Sequence, residues 1–158
     1  IQFYNYYKQR ILSMKAVITY YSHKGHTANY AREIAMHLWS RGVSVSLCSL
    51  SDFDRKKALD ADILVLGCWT SGLFILGQHP HKRWKTFARS ISGVLATKRF
   101  ILFTTYTIKT GSMFRRMRQA LNLSAPNSVL QLKSRTGKLT DQDRKYLDSY
   151  IQNNLHTP

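Results

Sequence analysis

The segment SHKGHT, Ser22–Thr27, places hydroxyl, imidazole and ammonium side chains around one glycine. It follows an apolar run and precedes a helical pattern, where free backbone amides and the helix dipole suit a phosphate. Ser22 and Thr27 add hydroxyl donors, and Lys24 adds positive charge. Gly25 permits a positive φ or a close backbone approach. The segment predicts an anion site, although an ordinary capped turn between strand and helix explains the same residues equally well.

Other phosphate or nucleophile chemistry finds little support. Neither GxxxxGK[ST] nor GxGxxG after a strand occurs. A phosphatase-type Cys68 would need an arginine a few residues on, and none follows, so Cys68 is predicted to be a small residue near the site. Response-regulator receiver domains need carboxylates at the ends of the first and third strands. This chain has Tyr20, Tyr21 and Ser22 at the first of these positions and Gly67 and Cys68 at the second. His79 and His81 flank a proline and are interpreted as a solvated turn rather than a metal site.

Alternating apolar patterns predict five strands that are separated by helices. The strand candidates are Lys15–Tyr21, Val43–Leu50, Asp62–Gly67, Arg99–Thr105 and Ser128–Lys133. The helical faces run from Ala28 to Leu38, Trp84 to Ile91, Phe114 to Leu121 and Tyr146 to Ile151, with a short helix near 54–59. Thr140 is the expected N-cap of the last helix. This order predicts an α/β fold, a doubly wound five-stranded parallel sheet in the order 2-1-3-4-5 with helices on both faces.

In that strand order, ligands bind at the carboxyl ends of strands 1 and 3. SHKGHT follows strand 1, and CWTSG, which begins at Cys68, follows strand 3. Both segments therefore lie at the predicted ligand site.

These loops resemble those of the flavodoxin family in its short-chain form. The family's first loop, Ser/Thr-x-Thr-Gly-x-Thr, holds the phosphate of FMN, and this chain keeps Ser22, Gly25 and Thr27 of that pattern. Lys24 and His26 depart from it.

The second and third loops extend the resemblance. The family carries a Trp over the flavin ring, matched by Trp69 in GCWTSG, and usually a Tyr on the opposite face, matched by Tyr106 in FTTYTIKTGS. A planar ring needs such flat side chains, although both aromatics are also explained as core residues. The resemblance covers Met14 to roughly Leu155 and implies a flavodoxin-like fold.

FMN is the cofactor that the resemblance implies. The implied cofactor-binding residues are Ser22, His23, Lys24, Gly25, His26 and Thr27 in the first loop, Cys68, Trp69, Thr70, Ser71 and Gly72 in the second, and Thr104, Thr105, Tyr106, Thr107 and Gly111 in the third.

The charge is unusual for this family, whose members are typically acidic. The chain has 24 Lys and Arg against 8 Asp and Glu, a formal net charge of +16, and no carboxylate between Ile63 and Thr140. The helices after strands 3 and 4 are expected side by side, because crossovers are right-handed. Their basic residues and the third loop predict a positive face beside the flavin, formed by Lys82, Arg83, Lys85, Arg89, Lys109, Arg115, Arg116 and Arg118.

Two function classes follow. The first is an FMN electron carrier or small FMN-dependent reductase that docks an acidic redox protein, ferredoxin-like or a reductase, through the positive face. The alternative is a flavin-free binding module that uses the same face for nucleic acid or an anionic surface. Only the charge supports nucleic acid.

Composition sets the remaining expectations. No apolar run approaches the ~20 residues of a membrane-spanning helix. Cys48 and Cys68 lack CxxC spacing and are expected as free thiols in a reducing cytoplasm. Residues 1–13 are expected to form an N-terminal tail upstream of a natural start at Met14, with the flavodoxin-like domain spanning 14–155.

Overall fold

Strands and helices alternate along the chain. The computed structural model describes residues 2–72, 77–95, 97–123 and 129–155, and Ser128 of the fifth predicted strand lies outside them. The helices are α1 Gln2–Ser13, α2 His26–Ser40, α3 Arg55–Asp60, α4 Lys82–Ile91, α5 Met113–Ala120 and α6 Asp141–Leu155. The strands are β1 Lys15–Tyr21, β2 Ser44–Ser49, β3 Ile63–Ser71, β4 His79–Pro80, β5 Arg99–Thr105 and β6 Leu130–Ser134.

The five long strands form a parallel sheet in the order β2-β1-β3-β5-β6. The two-residue β4 pairs antiparallel with the end of β3. Without β4 this is the predicted order 2-1-3-4-5, which is confirmed. Tyr21 pairs with Cys68 and Trp69 with Thr105, so the carboxyl ends of β1, β3 and β5 lie side by side.

Both faces of the sheet are buried, because β1, β3 and β5 are almost continuous apolar runs. One face packs on α2 and α6, with Ile34 and Leu147 in its core. The other packs on α4 and α5, with Trp84 and Met117 in its core. No helix within the described ranges has the length and apolarity to cross a bilayer.

Gly67 in β3 makes room for an aromatic ring on the neighbouring strand. A Cβ at Gly67 would lie 2.1 Å from the ring of Phe103, which is fully buried. The ring in turn packs edge-on against Tyr30 of α2, with centroids 5.9 Å apart. This packing fixes α2, and the loop before it, over the middle of the sheet.

The start of the last helix and the N-terminal segment are both fixed by contacts. The N-cap predicted for α6 is present: Thr140 Oγ1 accepts the Asp143 amide at 3.1 Å, and Asp143 Oδ2 accepts the Thr140 amide at 3.0 Å. Residues 2–13, expected as a tail, form α1, because Tyr7 and Ile11 lie on one helical face and pack against the core. The start at Met14 stays a prediction.

Candidate cofactor site

A cleft of about 590 Å³ opens where β1, β3 and β5 end. It collects residues from all three predicted loops and one residue that the sequence interpretation missed. The lining residues are His23, Lys24, His26, Thr27, Trp69, Thr70, Thr105, Tyr106, Thr107 and Arg135. The topology therefore brings most of the predicted cofactor residues together.

The first loop is shaped by Gly25, which precedes α2 with φ of 90°. A Cβ at Gly25 would meet nothing within 4 Å, so glycine is needed for the backbone conformation and not for space. The Gly25 amide donates to Ser22 Oγ at 3.1 Å, which closes the loop. Lys24 and His26 remain exposed at the start of α2, where the helix dipole is positive.

Thr27 lines the cleft but is 1% exposed, and its hydroxyl lies 2.6 Å from the hydroxyl of Thr105. Thr104 acts similarly between strands, since it donates to the Cys68 carbonyl at 2.7 Å and lies 2.8 Å from the Thr70 hydroxyl. These contacts join the first turn of α2 to the end of β5 and the end of β5 to the end of β3.

The second loop presents Trp69, whose half-buried ring contacts two imidazoles. Its centroid lies 5.5 Å from His23 and 5.6 Å from His81. Trp69 Nε1 and Ser71 Oγ are buried and have no hydrogen-bond partner among the described residues. Buried donors of this kind normally have a partner, and Trp84 Nε1, in the core beneath α4, is a third that has none among the described residues.

The interpretation of His79 and His81 as a solvated turn was wrong for His81. Its ring stacks on Tyr21, with centroids 4.8 Å apart and an interplanar angle of 29°. The reason is β4, which folds residues 79–80 back onto the end of β3 and brings the next residue against Trp69.

The third loop presents Tyr106, and Arg135 lies against it. The Arg135 guanidinium lies 5.7 Å from the centre of the Tyr106 ring, and the Tyr106 amide donates to the Ser134 carbonyl at 3.1 Å. A signal for Arg135 was available, because it is a cation directly after the last strand of a parallel sheet. All such residues lie at the ligand-binding edge.

Gly72 and Gly111 do not line the cleft, and each allows a close contact with residues 77–78. Gly72 has φ of 120°, and a Cβ there would lie 2.6 Å from the Gly77 carbonyl oxygen. A Cβ at Gly111 would lie 2.1 Å from the Gln78 amide oxygen. Ser112 Oγ adds a hydrogen bond to the Gln78 carbonyl at 2.7 Å. Their role in binding the cofactor stays a prediction.

Cys68 lies beneath the cleft and is fully buried. Burial raises the pKa of its thiol to about 12, although the hydrogen bond from the His81 amide opposes the shift. A nucleophilic cysteine needs the thiolate, so the prediction of a small residue near the site fits this environment. Cys48 is likewise a free thiol.

The charge at this end of the molecule is positive. The cleft lining contains Lys24 and Arg135 and no carboxylate. Helices α4 and α5 pack side by side next to it, as expected. On them and on the third loop, six of the predicted basic residues are exposed and two are half-buried, and none forms an ion pair with another described residue.

The residues fit FMN. A dianionic phosphate matches the amides before α2 and Lys24, and a planar ring matches Trp69 and Tyr106.

Comparison with known proteins gives the same result. A sequence model of the flavodoxin domain matches residues 17–151. A flavodoxin from Clostridium beijerinckii is 30% identical over 105 residues, which covers 66% of this chain and 74% of that protein.

Solved structures share the fold at lower identity. A flavodoxin from the domain Archaea superposes with a TM-score of 0.62 at 18% identity, over 91% of this chain and 100% of that one. The two-electron reduced flavodoxin of Megasphaera elsdenii superposes with a TM-score of 0.63 at 19% identity, over 87% of this chain and 98% of that one. Rubredoxin oxygen:oxidoreductase from Desulfovibrio gigas superposes with a TM-score of 0.65 at 18% identity, over 89% of this chain and 36% of that one. The chain therefore belongs to the flavodoxin family, whose members bind FMN.

Proposed function

We propose that this protein carries electrons on bound FMN and docks an acidic redox protein through the positive face of α4, α5 and the third loop. Membership of the flavodoxin family supports the first part, since it indicates an FMN-binding electron carrier. The charge of this chain supports the second. Two free cysteines also lead us to expect a reducing compartment such as the cytoplasm.

The chain's own residues bind and orient the cofactor in this proposal. FMN supplies the redox chemistry, because its ring takes up and releases electrons. The amides that precede α2 and the Lys24 ammonium hold the phosphate. Trp69 and Tyr106 flank the ring and exclude water.

The observation that carries the docking proposal is the uncompensated charge beside the cleft. Lys82 and Arg83 begin α4, and Arg115 and Arg116 lie in the first turn of α5, so these cations stand at the same end of the sheet as the cleft. Carboxylates would normally neutralise part of such a surface, and none lies between Ile63 and Thr140. A partner with a negative surface is steered to this end at rates that depend on salt.

The test begins with FMN uptake. Purified apoprotein titrated with FMN should quench flavin fluorescence at one equivalent. A protein that does not take up FMN overturns the proposal and leaves the flavin-free binding module, which a gel-shift assay with nucleic acid then examines.

Electron transfer tests the second part. The reduced protein is mixed with an acidic ferredoxin and, as a matched control, with a basic c-type cytochrome. Transfer to the acidic acceptor should slow steeply with rising salt, since the screening length falls from ~10 Å at 0.1 M to ~3 Å at 1 M. Transfer to the basic acceptor should speed up. Rates that do not respond to salt contradict docking through charge.

A further inference from the structure

His81 connects the flavin cleft to the start of α4. The centre of its imidazole ring lies 5.6 Å from the centre of the Trp69 ring, which lines the cleft, and 4.8 Å from the centre of the Tyr21 ring. Its backbone amide also donates to Cys68 Sγ at 3.5 Å. The residue is therefore held by β1 and β3, while the same residue is the N-cap of α4.

The cap fixes the protonation state that the structure uses. His81 Nδ1 accepts a hydrogen bond from the Arg83 amide at 3.2 Å. An imidazole nitrogen accepts only when it carries no proton, so this contact requires the neutral ring with its proton on Nε2. Protonation would place a second donor against the Arg83 amide and would break the cap.

The surroundings also disfavour the charged ring. Burial, followed by the charges of Arg83, His79, His23 and Lys85, lowers the pKa of His81 below its ordinary value of 6.5. The positive end of the α4 dipole acts in the same direction. Attraction of an imidazolium to the two aromatic rings acts in the opposite direction. The titratable and charged groups that face the ring are Arg83 and Lys85 of α4, His79 of β4, His23 of the first loop, Tyr21 of β1 and Cys68 of β3.

We propose that His81 is the positioning residue for Trp69: the neutral imidazole holds the indole in the cleft for stacking on the flavin, and protonation of His81 releases it. This inference rests on the proposed FMN site. Because the neutral form belongs to the folded cleft, the stabilisation is present above pH 6.5 and is lost as the pH falls towards the lowered value. Flavin affinity should fall over the same interval.

Two substitutions separate the two contacts of His81. His81→Asn keeps a side chain that caps helices well but removes the stacking ring. His81→Phe keeps a ring against Trp69 but removes the cap. His79→Asn is the matched control, because His79 is a half-buried histidine on the same segment that does not line the cleft. Its Nδ1 lies 2.9 Å from the Pro80 carbonyl oxygen. Circular dichroism and thermal unfolding confirm that each variant is folded.

The first readout uses no flavin. Tryptophan emission of the apoprotein is recorded from pH 7.5 to 5, and the part due to Trp69 is obtained by subtracting the emission of Trp69→Phe. We expect this part to titrate in the parent and in His79→Asn, and to titrate with a clearly smaller amplitude in His81→Asn and His81→Phe, in which the His23 ring still lies against Trp69, at 5.5 Å. An equal amplitude in the parent and in His81→Asn overturns the proposal.

The second readout is flavin affinity, measured with FMN and with riboflavin, which lacks the phosphate that itself titrates near pH 6. In the parent, the riboflavin Kd should rise as the pH falls below 6.5, by about 3- to 10-fold once His81 is protonated, the size of one aromatic contact. His81→Asn should bind more weakly at pH 7.5 and lose most of this pH dependence. Equal slopes in parent and variant overturn the role of His81. A parent that binds neither flavin overturns the proposed function itself, and the emission experiment still decides the His81–Trp69 contact.

Discussion

The hydroxyl oxygens of Thr27 and Thr105 lie 2.6 Å apart, although 78 residues separate them in the chain. One residue begins α2 behind the first loop and the other ends β5 before the third loop. Both are buried, so this contact is shielded from water and joins two of the three cofactor loops. Its removal should affect the stability of the protein and the shape of the cleft together.

Thr27→Val should lower the free energy of unfolding by about 1–3 kcal/mol, because it leaves the buried Thr105 hydroxyl without its partner. FMN affinity should fall with it. The double variant Thr27→Val/Thr105→Val should recover part of the loss, because neither polar group is then buried alone. Urea denaturation measures the cycle, and Thr27→Ser is the control that keeps the hydroxyl. Fully additive losses contradict a direct contact.

Gly25→Ala should weaken FMN binding through the backbone. The substitution meets no neighbour, so its cost is the strain of a positive φ, about 1–2 kcal/mol. Gly93→Ala is a matched control, since Gly93 has φ of 82° and equally open space but follows α4 away from the cleft. Both variants should lose similar stability in urea, and only Gly25→Ala should raise the FMN Kd. Equal FMN binding would exclude the first loop as the phosphate site.

Arg115→Glu/Arg116→Glu should slow electron transfer to an acidic ferredoxin by about tenfold or more at low salt, through loss of steering. FMN affinity should not change, since neither side chain lines the cleft. Arg32→Glu/Lys145→Glu makes the same charge change with exposed residues of α2 and α6, on the other face of the sheet. Stopped-flow kinetics compare the two pairs. An equal slowing by both would assign the effect to net charge and not to a docking face.

Lys24→Gln and Arg135→Gln should each lower the potential at which the bound flavin accepts its second electron. Each cation lines the cleft and stabilises added negative charge by ~0.5–1 kcal/mol after solvent screening, or about 20–45 mV for one electron. Stepwise dithionite titration measures the shift. Arg135→Lys, which keeps the charge, and Lys145→Gln on the far face should leave the potential near that of the parent.

Asp148→Asn should destabilise the protein at pH 7 and not in acid. Burial alone would raise the pKa of Asp148, but hydrogen bonds from Arg41 and His37, at 2.8–2.9 Å, outweigh it and lower the pKa below 3.8. The carboxylate therefore contributes stability above pH 3.8 that is lost as the pH falls through the lowered value.

We expect Asp148→Asn to cost about 1–2 kcal/mol at pH 7 in urea denaturation, and the difference from the parent to shrink near pH 2–3. Asp141→Asn is the control, because the Asp141 side chain is 98% exposed and its ion pair with Arg144 spans 3.7 Å. A constant difference at both pH values would contradict the linkage.

The fold could be predicted because its signals are local. The continuous apolar runs of β1, β3 and β5 indicate strands that are buried on both faces, and Thr140 marks the start of α6 by its own hydrogen bond. The three loops could be placed for the same reason, since alternating strands and helices leave few topologies.

What escaped prediction depends on contacts between distant parts of the chain. Arg135 lies over Tyr106 only because β5 and β6 pair in a particular register. His81 reaches Trp69 only because β4 folds back onto β3. The place of Arg135 directly after a strand could have located it at the ligand-binding edge. Its contact with Tyr106, and that of His81 with Trp69, leave no pattern in neighbouring residues, so local periodicity and motif spacing could not have shown them.

The buried thiol of Cys68 should stay inert while the flavin beside it changes oxidation state. Burial raises the pKa of this thiol to about 12, and both disulfide exchange and oxidation proceed through the thiolate. A sulfur atom beneath the cofactor cleft is thus protected from the oxidants that a reduced flavin generates in air. Unfolding of the FMN-loaded protein after repeated reduction and exposure to air should release Cys68 as a free thiol, which a thiol-specific reagent measures.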